Sequence, residues 1–238
     1  MEVPGYRPLY RQVYDIIVNK VADGVWRPGE AIPSEQALAR ELGVSQGTMR
    51  KVLDALTAEK LLVRHQGKGT FIAENTQERS LFRFFRMVRP GGERVTPAMG
   101  EQSVRVRVAR VADQQRLDLS KGSRVVEINR VRLVDSRPTI RETIILPSAL
   151  FPRIEDRMPL PNTLYSLYQT EFGINIVSAS EELRADIATP DDQRMLGAPA
   201  GAAILCIDRI ALSLQERKVE WRTSRIYARD LTYSVTLS

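Results

Sequence analysis

Pro33 to Glu59, PSEQALARELGVSQGTMRKVLDALTAE, leaves this chain little choice of local fold. Apolar residues fall at Leu38, Leu42 and Val44, then at Met49, Val52, Leu53 and Leu56, the spacing of two short amphipathic helices. Gly43-Val44-Ser45 stands between them. The glycine can take the left-handed conformation that stops the first helix, and the serine can cap the second. Helix, three-residue turn and helix form the unit that sends its second helix into a DNA major groove.

The flanks fit the same reading. Leu9 to Asp23 carries apolar residues at Leu9, Val13, Ile16, Ile17 and Val21, one amphipathic helix closed by Gly24. Trp26 to Gly29 is turn chemistry, and Ser34 is placed to cap the next helix. After Glu59, two short apolar runs, Leu61–Arg64 and Thr70–Ile72, surround the tip Gly67-Lys68-Gly69, a β-hairpin pattern. Three helices and a hairpin predict a winged helix-turn-helix. A nucleotide-binding loop is excluded at the tip: it needs glycine where Leu62 stands and Ser or Thr where Gly69 stands.

Composition narrows the function classes. The 238 residues, 43% hydrophobic and 27% charged, suit one large soluble domain or two smaller ones. Apolar runs such as Ala202–Ile207 fall far short of the ~20 residues of a membrane helix, and MEVPGYRPLY lacks an export pattern, so a cytoplasmic protein is expected. The one cysteine, Cys206, forms no intrachain disulfide, and with one histidine, His65, it makes a Cys/His metal site improbable; no cofactor is expected. Net charge +6 permits a polyanionic partner.

Geometry assigns roles in the module. The capped helix start at Ser45 suits a phosphate. Gln46 and Thr48 lie in the first turn, where side chains reach base edges, and Gly47 allows close backbone approach. Arg50, on the face away from Met49 and Leu53, is expected to be free for a guanine or phosphate; with Lys51 it could instead be an ordinary solvated face. Lys68 between Gly67 and Gly69, with Thr70 beside it, suits phosphates or the minor groove. From Leu9 to about Ala73 the chain resembles the DNA-binding module of the GntR family of bacterial regulators. That resemblance implies DNA contacts from Ser34, Gln36, Ser45, Gln46, Gly47, Thr48, Arg50, Lys51, Gly67, Lys68, Gly69 and Thr70. Many members carry arginine where this chain has Gln36 and Gln46.

A linker, 74–99, is expected next, with a short basic helix around Leu81–Phe85 bearing Arg79, Arg83, Arg86 and Arg89. From Val104 the pattern alternates as in strands; Arg124–Leu133, Thr139–Leu146, Ala202–Ser213, Val219–Tyr227 and Tyr233–Leu237 read likewise, with helices at Asn162–Phe172 and after Thr189. The fold class is α+β: a winged helix-turn-helix, 1–73, and an antiparallel-sheet domain, 100–238. An internal repeat runs through the second part. Gly122 to Arg130 and Gly201 to Arg209 are both eight residues, within Ile128-Asn129-Arg130 and Ile207-Asp208-Arg209; it breaks at Arg132, opposite Ala211. A pseudo-two-fold sheet with a cleft between its halves follows.

Arg130 and Arg132 share one strand face, and either could sit opposite Glu142 across the Asp135–Pro138 turn. Two guanidiniums there suit a small anion, or simply a cross-strand ion pair with Glu142. The region from about Ser80 to Leu237 resembles the UTRA effector-binding domain of the HutC-like GntR branch, a chorismate-lyase-type fold. The resemblance implies effector contacts from Arg130, Arg132, Glu142, Glu220, Tyr227 and, in the loop before the first strand, Thr96. It implies a homodimer bound to an inverted-repeat operator in double-stranded DNA and controlled by a small anionic metabolite, with no membrane partner. An enzyme acting on a small carboxylate and a ligand-independent DNA binder are the rivals; the chain offers no nucleophile motif, histidine pair or metal cluster.

Overall fold

The computed structural model describes residues 8–74 and 84–236. The part of the expected linker helix up to Arg83, including Arg79, and the strand end at Leu237 lie outside them. The chain forms two compact units: one runs to Asn75 and takes in Tyr168–Val177, the other comprises Thr76–Leu167 and Ser178–Ser238.

In the first unit, helices α1 (Leu9–Ala22), α2 (Glu35–Glu41) and α3 (Gln46–Ala58) precede a hairpin of β1 (Leu62–His65) and β2 (Gly69–Ile72). The caps are those the sequence asked for. Ser34 Oγ accepts from Ala37 N at 3.2 Å, and Ser45 Oγ from Thr48 N at 3.1 Å. Gly43 has φ +63°, so a Cβ there would be strained. Leu9 and Ile16, on the same spacing, are exposed, and the buried set is Val13, Ile17, Leu38, Met49, Val52, Leu53 and Leu56. It holds α3 against α1 and α2 with the start of α3 exposed.

The second unit is a six-stranded antiparallel sheet in the order β4 (Ala98–Val108), β5 (Arg124–Val134), β6 (Arg137–Pro147), β9 (Lys218–Ile226), β8 (Ala203–Ser213), β7 (Ile176–Ile187). Helix α4 (Val111–Leu117) joins β4 to β5, and α6 (Pro190–Leu196) joins β7 to β8. Strand, helix and hairpin therefore occur twice, and the copies meet where β6 pairs with β9. A pseudo-two-fold axis runs between those central strands. The short strands β3 (Met87–Val88) and β10 (Thr232–Tyr233) pair separately, and α5 (Leu164–Phe172) precedes β7. Two expected elements are shorter here: α5 starts at Leu164 rather than Asn162, and β10 covers only Thr232–Tyr233.

Alternation sorts the residues of the sheet onto two faces. One carries Arg130, Arg132, Ile140, Glu142, Arg209, Arg222, Ser224 and Ile226. The other packs on α4 and α6 through Leu117, Val125 and Ile145 in one cluster and Ala198, Ile204 and Cys206 in another. Both helices are anchored by a buried acid at their third residue. Asp113 accepts from Arg110 N at 2.6 Å and from Arg107 Nη1 at 2.5 Å. Asp192, fully buried, accepts from Thr189 N at 2.9 Å, Arg225 Nε at 2.9 Å and Arg141 Nε at 3.1 Å. Each acid satisfies helix-terminal N–H groups and neutralises an arginine of the sheet below.

Burial opposes ionisation of Asp192, but hydrogen bonds from Arg225, Thr189 and Arg141 hold its carboxyl well below the ordinary range. Its stabilising contribution is present above the unfolded value of about 3.9 and is lost as pH falls through the lower folded value. Asp192→Ala should cost about 3 kcal/mol at pH 7, because it takes from Arg141 the acid it binds and leaves Arg225 with Asp186 alone. It should also flatten the decline of stability between about pH 5 and pH 2; urea unfolding of the whole chain across that range measures both.

Candidate functional site

A cleft of about 630 Å³, solvent mouth included, opens on the sheet face opposite α4 and α6. Its size suits a small molecule. The floor is Arg130 and Arg132 of β5, Glu142 of β6, Arg209 of β8, and Arg222 and Ser224 of β9; Phe84, Met87, Asn162, Tyr165 and Tyr233 wall it.

The charges form a relay. Arg130 Nε donates to Glu142 Oε2, and Arg222 Nη1 reaches Glu142 Oε1 at 3.4 Å. Arg222 also grips Glu220 through Nε at 3.0 Å and Nη2 at 2.8 Å, and Tyr165 OH donates to Glu220 at 3.0 Å. Arg209 Nε donates to Glu181 at 2.6 Å, and its Nη2 to the Phe84 carbonyl. Burial works against ionised Glu142, yet Arg130, Arg222 and Arg132 hold its carboxyl well below the ordinary range. Burial, with Glu220 second, raises the Tyr165 phenol to about 12, so it stays a donor.

Arg132 is the incomplete member. It is 3% exposed, its Nη2 donates to Asn162 Oδ1 at 2.7 Å, and Glu142 lies 3.6 Å from Nη1. Its Nε is buried without any acceptor in the described chain. Burial pulls this guanidinium down to about 10, despite Glu142, and the charges of Arg130 and Arg222 add to the fall. Four guanidiniums face three carboxylates in the relay, so one positive charge is in excess, and it resides at Arg132.

Both earlier readings of the Arg-x-Arg pair are thus partly realised. The two-residue turn Asp135–Ser136 and a register shift between Arg132 and Leu133 put Arg130, not Arg132, opposite Glu142. Arg130 is the ion pair; Arg132 is left open. Glu220, fully buried, sits behind Arg222 rather than on the cleft wall. Two expected contacts fall elsewhere. Tyr227 follows Ile226, a cleft residue, so strand parity turns it to the opposite face, where it packs with the α6 cluster beneath Arg229. Thr96 is exposed, and the neighbouring Pro97 carbonyl accepts from Asn162 Nδ2 instead. Asn162, Tyr165, Arg209 and Arg222 were not singled out by sequence. The internal repeat could have led to Arg209, the counterpart of Arg130, and to Arg222, which pairs with Arg209 as Glu142 pairs with Arg130.

In the first unit, Ser45, Gln46, Gly47 and Lys51 are exposed along the start of α3, with Gln36 exposed on α2. A Cβ on Gly47 would meet nothing nearer than Ser45 Oγ at 3.9 Å, so packing within the chain does not require glycine there. Thr48 Oγ1 lies 2.9 Å from Ser45 Oγ. Gly67 and Gly69, at φ +72° and +115°, make the tight tip that exposes Lys68. Arg50 departs from expectation: Glu35 of α2 binds its Nη2 at 2.8 Å and Nε at 3.1 Å, so its guanidinium is not free.

Residues 9–72 match the model of bacterial regulatory proteins of the gntR family, and residues 97–230 match the UTRA domain. The chain belongs to the GntR family. The UTRA match places it in the HutC-like branch, and it is a DNA-binding transcription regulator rather than an enzyme. It is 30% identical over 194 residues to the mannosyl-D-glycerate transport/metabolism system repressor MngR of Escherichia coli K12, covering 81% of this chain and 80% of that one. It is also 30% identical over 210 residues to the histidine utilization repressor of Pseudomonas putida, covering 86% and 82%. Among solved structures, the ligand-binding domain of a protein from Bordetella bronchiseptica described as a GntR-family regulator superposes with a TM-score of 0.60 at 28% identity. It covers 66% of this chain and 98% of that one. No helix among the described residues is long and apolar enough to cross a membrane.

The two charge types of the cleft should respond oppositely to removal. Glu142→Gln strands buried guanidiniums and should cost about 3 kcal/mol or more. Arg132→Met removes an under-satisfied one and should leave the ligand-free protein within about 1 kcal/mol of wild type, or above it. Thermal and urea unfolding of both variants distinguishes them.

Proposed function

We propose that this regulator is a cytoplasmic repressor whose cleft binds a small anionic metabolite at Arg132, with linked loss or gain of operator affinity. The observation that carries this reading is the buried Arg132 Nε without an acceptor, at the one buried guanidinium of the cleft, among the described residues, left over after the carboxylates are paired. A carboxylate or phosphate oxygen supplies both the missing acceptor and the missing charge. The Glu142 carboxylate and the Ser224 hydroxyl on the cleft floor accept from hydroxyl or amino groups, so the rest of the ligand carries such donors. The names of the two relatives tie them to mannosyl-D-glycerate and histidine, both carboxylates bearing donors, which supports that class.

On the DNA side, Ser34, Gln36, Ser45, Gln46, Gly47, Thr48 and Lys51 contact the operator, with Gly67, Lys68, Gly69 and Thr70 at the wing. Arg50 contributes only by exchanging Glu35 for a phosphate. The protein acts as a homodimer on an inverted repeat. Its two heads fit successive major grooves only when about 34 Å apart, so a modest ligand-dependent change in their placement alters affinity.

Gel shifts on a selected operator, with a panel of carboxylates and phosphate monoesters and parallel thermal shifts, test the reading. At least one compound should change operator affinity ten-fold or more in wild type, with Arg132→Ala abolishing that response and leaving ligand-free DNA affinity unchanged. A protein whose DNA binding and melting ignore every compound overturns it. Separately, Gln46→Arg should alter the bases recovered in a binding-site selection, since arginine favours guanine where glutamine favours adenine; an unaltered profile removes Gln46 from base readout.

A further inference from the structure

The boundary between the two compact units falls inside one helix. Residues Leu164 to Leu167 of α5 belong to the sheet unit, and from Tyr168 onward the helix belongs to the unit that contains the winged module. Its nine residues make about two and a half hydrogen-bonded turns, so the two halves move as one piece.

Each half is held by a different set of partners. Just before the helix, Asn162 Oδ1 accepts from Arg132 Nη2 at 2.7 Å, its carbonyl accepts from Arg130 Nη1 at 3.4 Å, and its Nδ2 donates to the Pro97 carbonyl at 2.9 Å. In the first turn, Tyr165 OH donates to Glu220 at 3.0 Å, and the Arg222 guanidinium lies 5.5 Å from its ring centre. The charges of the cleft therefore fix where α5 begins. One turn on, and so on the same face as Tyr165, stands Gln169, only 5% exposed. Burial is unusual for a glutamine unless its amide is bonded. Its Nε2 donates to the Ala73 carbonyl at 2.9 Å and also to Asn175 Oδ1, two acceptors that establish which end of the amide is nitrogen. Ala73 follows β2 and closes the base of the wing: its own N–H donates to the Leu61 carbonyl at 2.8 Å. Ile72 beside it donates to the Glu30 carbonyl at 2.9 Å and accepts from Gly29 N at 3.0 Å. An apolar side chain at 169 would serve packing alone; an amide bonded to this backbone carbonyl sets the place of the peptide from which the wing springs.

We propose that α5 carries the state of the cleft to the wing, with Gln169 as the positioning residue for Ala73 and, through the hairpin, for Lys68. An anion at Arg132 competes with Asn162 for the same guanidinium, so occupancy of the cleft re-seats the start of α5, and the helix passes that shift to the wing base. The proposal rests on the reading of Arg132 as the metabolite site and adds the route by which that site reaches DNA.

The test uses the full chain on a selected operator, with affinities from fluorescence anisotropy. Asn162→Ala frees the cleft end of α5 without any metabolite and should change operator affinity by about three-fold or more. In a Gln169→Met background the same substitution should have almost no effect, because the far end no longer holds Ala73. A panel compound that moves wild-type affinity should likewise lose most of that effect in Gln169→Met while keeping its thermal shift. Equal effects of Asn162→Ala in the two backgrounds reduce Gln169 to a stabilising contact and overturn the proposal, as does an Asn162→Ala protein with wild-type operator affinity. Amide exchange read by mass spectrometry needs no variant at 169: the Ala73 amide should exchange about three-fold or more differently in Asn162→Ala than in wild type, and identical rates overturn the route. If no panel compound acts on wild type, the metabolite reading fails, and the cycle between Asn162 and Gln169 still decides the coupling.

Discussion

Glu142 is the residue on which the interior of the sheet domain depends. A guanidinium moved out of water costs several kcal/mol unless a carboxylate with good geometry replaces the solvent, and three arginines converge on this one acid. It sits on β6, one of the two strands flanking the pseudo-two-fold axis, so it draws charge from both halves of the sheet. Glu220 relieves it by taking Arg222, and Asn162 partly relieves it by taking Arg132. What remains unrelieved is the Arg132 Nε, and the ligand site follows from that shortfall rather than from an added feature.

The opposite face repeats one solution twice. Asp113 in α4 and Asp192 in α6 each close the first turn of a short helix and each neutralise arginine from the sheet. A seven-residue helix has too little internal hydrogen bonding to persist alone. Anchored acids of this kind let such helices cover a sheet face that alternation alone would leave half-polar. The helix-bearing face is thus fully compensated, and the cleft face is not, which separates stability from binding between the two sides of one sheet.

Local chemistry was legible in the sequence wherever a single residue decides it. Ser34, Ser45 and Thr189 cap as read, and the glycines at 43, 67 and 69 take the positive φ their turns demand. The duplicated strand–helix–hairpin unit was legible too, because its spacings repeat. Illegible features depended on register or on distant partners. The two-residue turn at Asp135–Ser136 together with one extra residue, Thr139, on β6 set Arg130 opposite Glu142, and one residue of parity moved Tyr227 to the far face. Arg50 looked free on its helix because Glu35 lies on another. Asn162 looked like the start of a helix, whereas it lies at a bend before the helix, and both its side chain and its carbonyl serve the arginines.

The broken repeat has a further consequence. A cleft with two-fold walls would admit an unsymmetrical molecule in either of two poses of equal energy, and half the bound population would carry its signal backwards. Substituting Ala211 for the counterpart of Arg132, and Arg222 for the counterpart of Glu142, makes the two ends chemically unlike. Duplication provided the enclosure; divergence at these two positions gave it a head and a tail.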